Sequence, residues 1–180
     1  MDPTHFCCIQ PCMNAHPSFT AAAPTGLDSI AGKLAALGLS LPDPVKPIGN
    51  YIPAKRVGEL VFVSGQIPMR AGQPIALGTV PTQVSVDVAR ACAEQCVLNA
   101  LTAVLTVISD LEKIVSVVRI GVFVASGPEF TDHPKVADGA SELLGKLFGE
   151  AGRHVRAAVG APGLPRGVPV EIEFTFQVRD

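Results

Sequence analysis

The sequence predicts an α+β sandwich of order ββαβαββ, with two long helices packed on one face of a mixed sheet. Three observations carry this expectation. Apolar residues recur at helical spacing in Val84 to Ile108 and again after Pro134; the last segment, Val170 to Val178, alternates apolar and polar residues; and Gly- and Pro-rich stretches separate these segments.

Taken in chain order, Met1 to Thr25 is rich in Pro, Ala, Ser and Thr and has no apolar period. Burial there cannot offset the entropy of ordering the chain, so a mobile, dispensable leader is expected over residues 1–27. Asp28 or Ser29 then caps a short helix in which Ile30, Leu34 and Leu37 fall at i, i+4 and i+7, and Gly38 stops it. A Pro-rich connector, Pro42 to Pro47, completes the segment 28–47, and the main domain is expected over 48–180. Tyr51 to Val57 and Leu60 to Ser64 are strand-like and are joined by a tight turn at Gly58-Glu59, with Pro53 keeping the first strand at an edge or bend. In the long helix, Cys92, Cys96, Ala100, Val104 and Ile108 line one face, and Asp87, Arg90, Glu94, Asn99 and Thr102 line the other. Ile114 to Val124 is a strand with Val118, Ile120, Val122 and Val124 on one face. A second helix starts at Thr131 or Asp132 ahead of Pro134, carries Val136, Ala140, Leu143, Leu144 and Leu147, and ends at Gly149 and Gly152. Strands over His154 to Gly160 and Val170 to Val178 close the chain. The sheet face turned away from the helices mixes polar and apolar residues, as a face covered by another subunit does.

Bulk properties narrow the function. With 180 residues and a formal charge of -2, the chain offers no field or basic track for nucleic acid, which argues against that partner. No apolar run is long enough to span a membrane. Five cysteines without a secretory signal suit reduced thiols and a cytoplasmic setting. Cys7, Cys8 and Cys12 lack paired CxxC spacing, so no metal is expected, and Cys92 and Cys96 read as small core residues.

The chain has no GxSxG, HExxH or Walker loop, and its four histidines are scattered. The polar residues that stand on otherwise apolar strands are Tyr51, Ser64, Arg156, Glu171 and Glu173. Arg156, between Val155 and Ala157-Ala158, is expected to be buried and to need an anion: either a structural partner in Glu171 or Glu173, or a bound ligand.

Ile48-Gly49-Asn50-Tyr51, Val63-Ser64-Gly65-Gln66-Ile67-Pro68, Val155-Arg156-Ala157-Ala158-Val159, Leu164-Pro165 and Val170-Glu171-Ile172-Glu173 resemble, in order and spacing, the successive motifs of the RidA/YjgF-like family, over about Pro47 to Val178. The resemblance implies a chorismate-mutase-like fold, a homotrimer with ligand clefts between subunits, and hydrolysis of 2-iminobutanoate and 2-iminopropanoate to 2-oxo acids and ammonia, with neither cofactor nor metal. By the same resemblance, Arg156 binds the substrate carboxylate, the backbone N–H of Ala158 is a second donor to it, Glu171 positions or activates water, and Tyr51 and Ser64 line the cleft. The family often has Gly-Pro-Tyr and Pro-Ala-Arg where this chain has Gly49-Asn50-Tyr51 and His154-Val155-Arg156. For the asparagine that many members carry in the second helix, the nearest residues are Asp138 and Ser141. His154, on the same strand face as Arg156, is either solvent-exposed or a tuner of substrate choice. Two other functions stay open: a non-catalytic small-ligand-binding trimer, and an endoribonuclease or translation inhibitor, for which the chain lacks a basic track and stacking aromatics.

Overall fold

A computed structural model describes residues 26–44 and 49–180; the expected leader up to Thr25 and the end of the Pro-rich connector lie outside the described residues. After a short 3-10 turn, helix α1 (Ile30–Ala36) begins where the Ser29 hydroxyl accepts from the Gly32 N–H at 3.0 Å. Gly38, at φ 68°, turns the chain out of it. Ile30 and Leu34 are buried, but Leu37 caps the helix and stays exposed. Lys33 Nζ donates to the Leu147 carbonyl at 2.9 Å, so α1 is fixed to the main body of the protein.

Strands β1 (Ala54–Val57) and β2 (Leu60–Gln66) form the expected hairpin, with Gly58 at φ 59° in the turn. A two-residue ladder follows, β3 (Met69–Arg70) with β4 (Gln73–Pro74), which is too short to show as a sequence period. Helix α2 (Val86–Val104), strand β5 (Ile114–Ala125), helix α3 (His133–Phe148), strand β6 (Val155–Ala161) and strand β7 (Val170–Val178) complete the order. The main sheet runs β1-β2-β7-β5-β6 and is mixed: β5 and β6 are parallel, and the other pairs are antiparallel.

The core lies between the helices and one sheet face. Val61, Val63, Ile120, Val122, Ile172, Phe174 and Phe176 meet Cys92, Cys96, Leu101, Val136 and Leu144, all of them buried. On β5 the expected alternation breaks: the pairing with β7 shifts between Val117 and Arg119, so Val117 turns inward and Val118 turns out to solvent. On α2, Asn99 and Thr102 are buried instead of facing water, because the loops on either side of the sheet hairpin cover them; Thr102 donates to the Pro42 carbonyl at 3.1 Å.

The two long helices meet at a glycine. A Cβ at Gly139 on α3 would collide with the Arg90 carbonyl of α2, backbone that has little freedom to yield. The gain in helix propensity from Gly to Ala is about 1 kcal/mol, and forced overpacking against backbone outweighs it. Gly139→Ala is therefore expected to lower the unfolding free energy by about 2 kcal/mol, read by denaturant titration.

The opposite sheet face carries Val57, Leu60, Phe62, Val155 and Val159, all exposed, with Phe62 at 47% and Val155 at 66%. Such an apolar surface on a sheet suits burial against another chain.

Candidate active site

The site starts from an irregularity in β2. Between Val63, opposite Phe174, and Gln66, opposite Ile172, the strand carries one residue more than its partner. The bulge holds Ser64 and Gly65. Ser64 is fixed by Pro53, whose carbonyl accepts from both its N–H at 3.0 Å and its hydroxyl at 3.1 Å. Gly65 leaves room for Glu171, since the carboxylate of Glu171 occupies the place that a Cβ at residue 65 would take.

Beside this bulge is a cavity of about 90 Å³ lined by Tyr51, Ser64, Gly65, Asn99, Arg166 and Glu171, among others. Its wall is held by a chain of polar groups that runs from the exposed Arg70 to the buried Gln95 and Asn99. Arg70 donates to Gln95 Oε1 through Nε (3.0 Å) and a terminal nitrogen (2.9 Å); Gln95 donates to Asn99 Oδ1 (2.9 Å); and Asn99 donates to the Ile67 carbonyl (2.9 Å). This ties the loop after β2 to α2, with the buried side chains of Gln95 and Asn99 both hydrogen-bonded. Burial raises the carboxyl of Glu171 above the ordinary glutamate range, and the negative charge of Glu173 adds to the shift. Glu173 itself is paired with Arg119 at 2.7 Å.

Arg156 and Ala158 do not line this cavity. They sit on β6, which pairs with β5 alone and forms the sheet edge. Arg156 shares the row of Ile120 and Phe174, on the helix side, whereas Glu171 shares the row of Phe123 and Val159, on the other side. The expectation of a buried guanidinium needs correction: the edge position leaves the Arg156 side chain 26% exposed. The structural alternative also changes, because the anion beside Arg156 is neither Glu171 nor Glu173. One terminal nitrogen donates to Asp138 Oδ1 at 2.8 Å and to Ser141 Oγ at 3.0 Å, both on α3. The other terminal nitrogen and Nε have no hydrogen-bond partner among the described residues. His154 lies just before β6 and is half-buried, contacting Ser141, so of the two readings open for it the solvent-exposed one does not hold.

Tyr51, Ser64 and Glu171 are thus brought together within the chain, and Arg156 with Ala158 forms a separate group. Asn99, Gln95 and Arg166 belong to the cavity region but were not legible as such. Asn99 and Gln95 look like surface residues of an amphipathic helix, and Arg166 sits in a Pro-Arg-Gly turn. Among the described residues no cluster of three His, Cys, Asp or Glu side chains could hold a metal ion. Nor, among these residues, is any helix long and apolar enough to cross a membrane.

A helix pair over a mixed sheet, with a cavity opened by a bulge on its second strand, defines an α+β protein of chorismate-mutase-like architecture. Residues 31–172 match the family model described as "YjgF/chorismate_mutase-like, putative endoribonuclease", and the chain belongs to this YjgF/RidA family. Protein TCP17 of Trypanosoma cruzi is 37% identical over 152 residues, covering 84% of this chain and 95% of that protein. The crystal structure of Atu1372, of unknown function, from Agrobacterium tumefaciens superposes with a TM-score of 0.79 at 41% identity, covering 83% of this chain and 92% of that one. A 2-iminobutanoate/2-iminopropanoate deaminase of Dermatophagoides farinae is 30% identical over 136 residues, 75% of this chain and 91% of its own length.

Proposed function

We propose that this protein hydrolyses 2-imino acids such as 2-iminobutanoate and 2-iminopropanoate to 2-oxo acids and ammonia, in clefts shared between subunits of a homotrimer. The observation that carries this reading is the Glu171 carboxyl, half desolvated in a small cavity beside Ser64 and Tyr51. A carboxyl raised in this direction is a better proton acceptor than an ordinary glutamate and suits proton transfer to and from water. The similarity to the Dermatophagoides farinae deaminase supports the same substrate class.

In the proposed reaction, Arg156 receives the substrate carboxylate on its unpaired Nε and terminal nitrogen, a planar fork for a planar anion. Ala158 adds a backbone N–H. Glu171 accepts a proton from water as the water oxygen bonds to C2 of the imine and returns it to the nitrogen, giving a carbinolamine; the new hydroxyl proton then passes by the same carboxylate to that nitrogen, the C–N bond breaks, and ammonia leaves as the C2 carbonyl forms. Imines are electrophilic enough for orientation and one proton shuttle to suffice, so no activated nucleophile is required. The opposite placement of Arg156 and Glu171 in one chain fits a cleft that takes each group from a different subunit, and the exposed apolar sheet face supplies surface for that assembly. A particle of about three times the chain mass in light scattering is the expected solution state.

The reaction itself is tested by coupling a threonine dehydratase to a trap for free imine. Added protein should lower the yield of trapped 2-iminobutanoate and raise that of 2-oxobutanoate, and an unchanged trapping yield would refute the reading. A second result bears on geometry. In Gly65→Ala the new methyl displaces the flexible end of Glu171 rather than backbone, so the fold should survive, while misplacing this carboxyl costs on the order of 100-fold in rate.

A further inference from the structure

The charged fork of Arg156 works only if the guanidinium plane is fixed, and the structure contains a relay built to fix it. Gly152 is buried, and a Cβ there would collide with the Leu144 carbonyl, so its backbone is held tightly against α3. Its carbonyl lies 2.7 Å from His154 Nδ1, which makes Nδ1–H the donor. Burial lowers the basicity of His154; the Gly152 contact opposes that shift, and the nearby charge of Arg156 adds to it. The ring is therefore neutral at pH 7, and with the proton on Nδ1, Nε2 must accept. Its partner at 3.1 Å is the Ser141 hydroxyl, which donates to Nε2 and turns a lone pair to Arg156. The two protons of one Arg156 terminal nitrogen are thus both used, on Ser141 and on Asp138.

We propose that His154 is a positioning residue: through Ser141 it holds the Arg156 guanidinium in the plane in which its free edge receives the substrate carboxylate. The role rests on the imine-hydrolysis reading for its substrate, but the relay itself is a property of the free protein. The competing arrangement is a Ser141 hydroxyl turned back to the Ala137 carbonyl, 3.3 Å away within α3. That bond is longer and reorients the oxygen lone pairs, so removing the histidine should loosen Arg156 without deleting any group that touches substrate.

The test uses the full chain and three variants: His154→Ala, Ser141→Ala and His154→Gln. A glutamine offers an amide N–H to Gly152 and a carbonyl to Ser141, so it should restore the relay. The first readout is the 15N signal of the Arg156 side chain, which in wild type should show slow guanidinium rotation. His154→Ala and Ser141→Ala should bring fast rotation, and His154→Gln should return most of the slow behaviour. The second readout is kinetic: KM for 2-iminobutanoate should rise about 10-fold in the two alanine variants, with kcat changed far less, the signature of lost substrate grip. Slow rotation retained in His154→Ala, a kcat loss in place of the KM rise, or glutamine no better than alanine would each overturn the role. An absence of turnover in wild type would remove the deaminase reading alone, because the Arg156 signal still decides whether the relay exists. Should His154→Ala fail to fold, Ser141→Ala carries both readouts.

Discussion

Arg156→Lys is expected to fold and assemble as the wild type does and to lose imine hydrolysis by about 2 to 4 kcal/mol of transition-state stabilisation, the cost of replacing a preorganised bidentate contact by a point charge. The rate loss separates ligand binding from a structural role. Breaking a fully buried pair costs about 3 to 5 kcal/mol of stability, but the Arg156 side chain is 26% exposed and that of Asp138 is 42% exposed. A pair so open to solvent is worth about 1 kcal/mol or less. The melting temperature of Arg156→Lys should therefore stay within a few degrees of wild type while activity collapses. Early melting with activity intact would return Arg156 to a structural role.

Glu171→Gln should cut kcat by about 100-fold or more, the usual contribution of a positioned acid–base group, and should leave binding of 2-oxobutanoate in place, because the proposed carboxylate contacts are those of Arg156. The pH dependence follows from the direction of the shift. Burial, reinforced by Glu173, raises the folded-state pKa of Glu171. The base form then accumulates only above the ordinary glutamate value of about 4.3, and kcat/KM should rise with pH along a limb displaced upward from it. Glu173→Gln removes the like charge and should move that limb down. For stability the sign is opposite: a raised carboxyl pKa means the ionised group costs stability, a cost absent below the unfolded pKa and complete above the folded one. Glu171→Gln should accordingly melt no lower than wild type at pH 7, and a marked drop would point to a role in folding.

The elements that read most clearly in the sequence are those with long, uninterrupted periods. Val170–Val178 alternates over its whole length and is the observed β7; the two long helices appear at their apolar repeats, although α2 ends at Val104, ahead of the expected Ile108. Val118 was misplaced because a register shift in β5 swaps it with Val117, and a bulge leaves no mark on an apolar run. Asn99 and Thr102 look like the wet side of α2, yet polar neighbours from the Pro42 and Ile67 loops cover them, a tertiary effect that helical period cannot reveal. For the candidate site, motif order located Tyr51, Ser64, Arg156 and Glu171 in the sequence, but their division between two sheet faces depends on strand order. Nothing local to residues 154–160 shows that β6 is an edge. The same gap explains the wrong partner for Arg156: Glu171 and Glu173 are close in pattern, while Asp138 is close in space.

The division of Arg156 and Glu171 between opposite sheet faces makes subunit complementation the most direct test of a shared catalytic cleft. Arg156→Ala and Glu171→Gln proteins, each nearly inactive alone, are unfolded together, refolded as a mixture and assayed for imine hydrolysis. If each cleft takes its arginine from one subunit and its glutamate from the next, a random mixture places both intact groups together in about a quarter of the clefts. Activity should then recover to roughly that fraction of wild type. Recovery no greater than the sum of the two inactive proteins, in a mixture shown to contain mixed assemblies, would contradict the account.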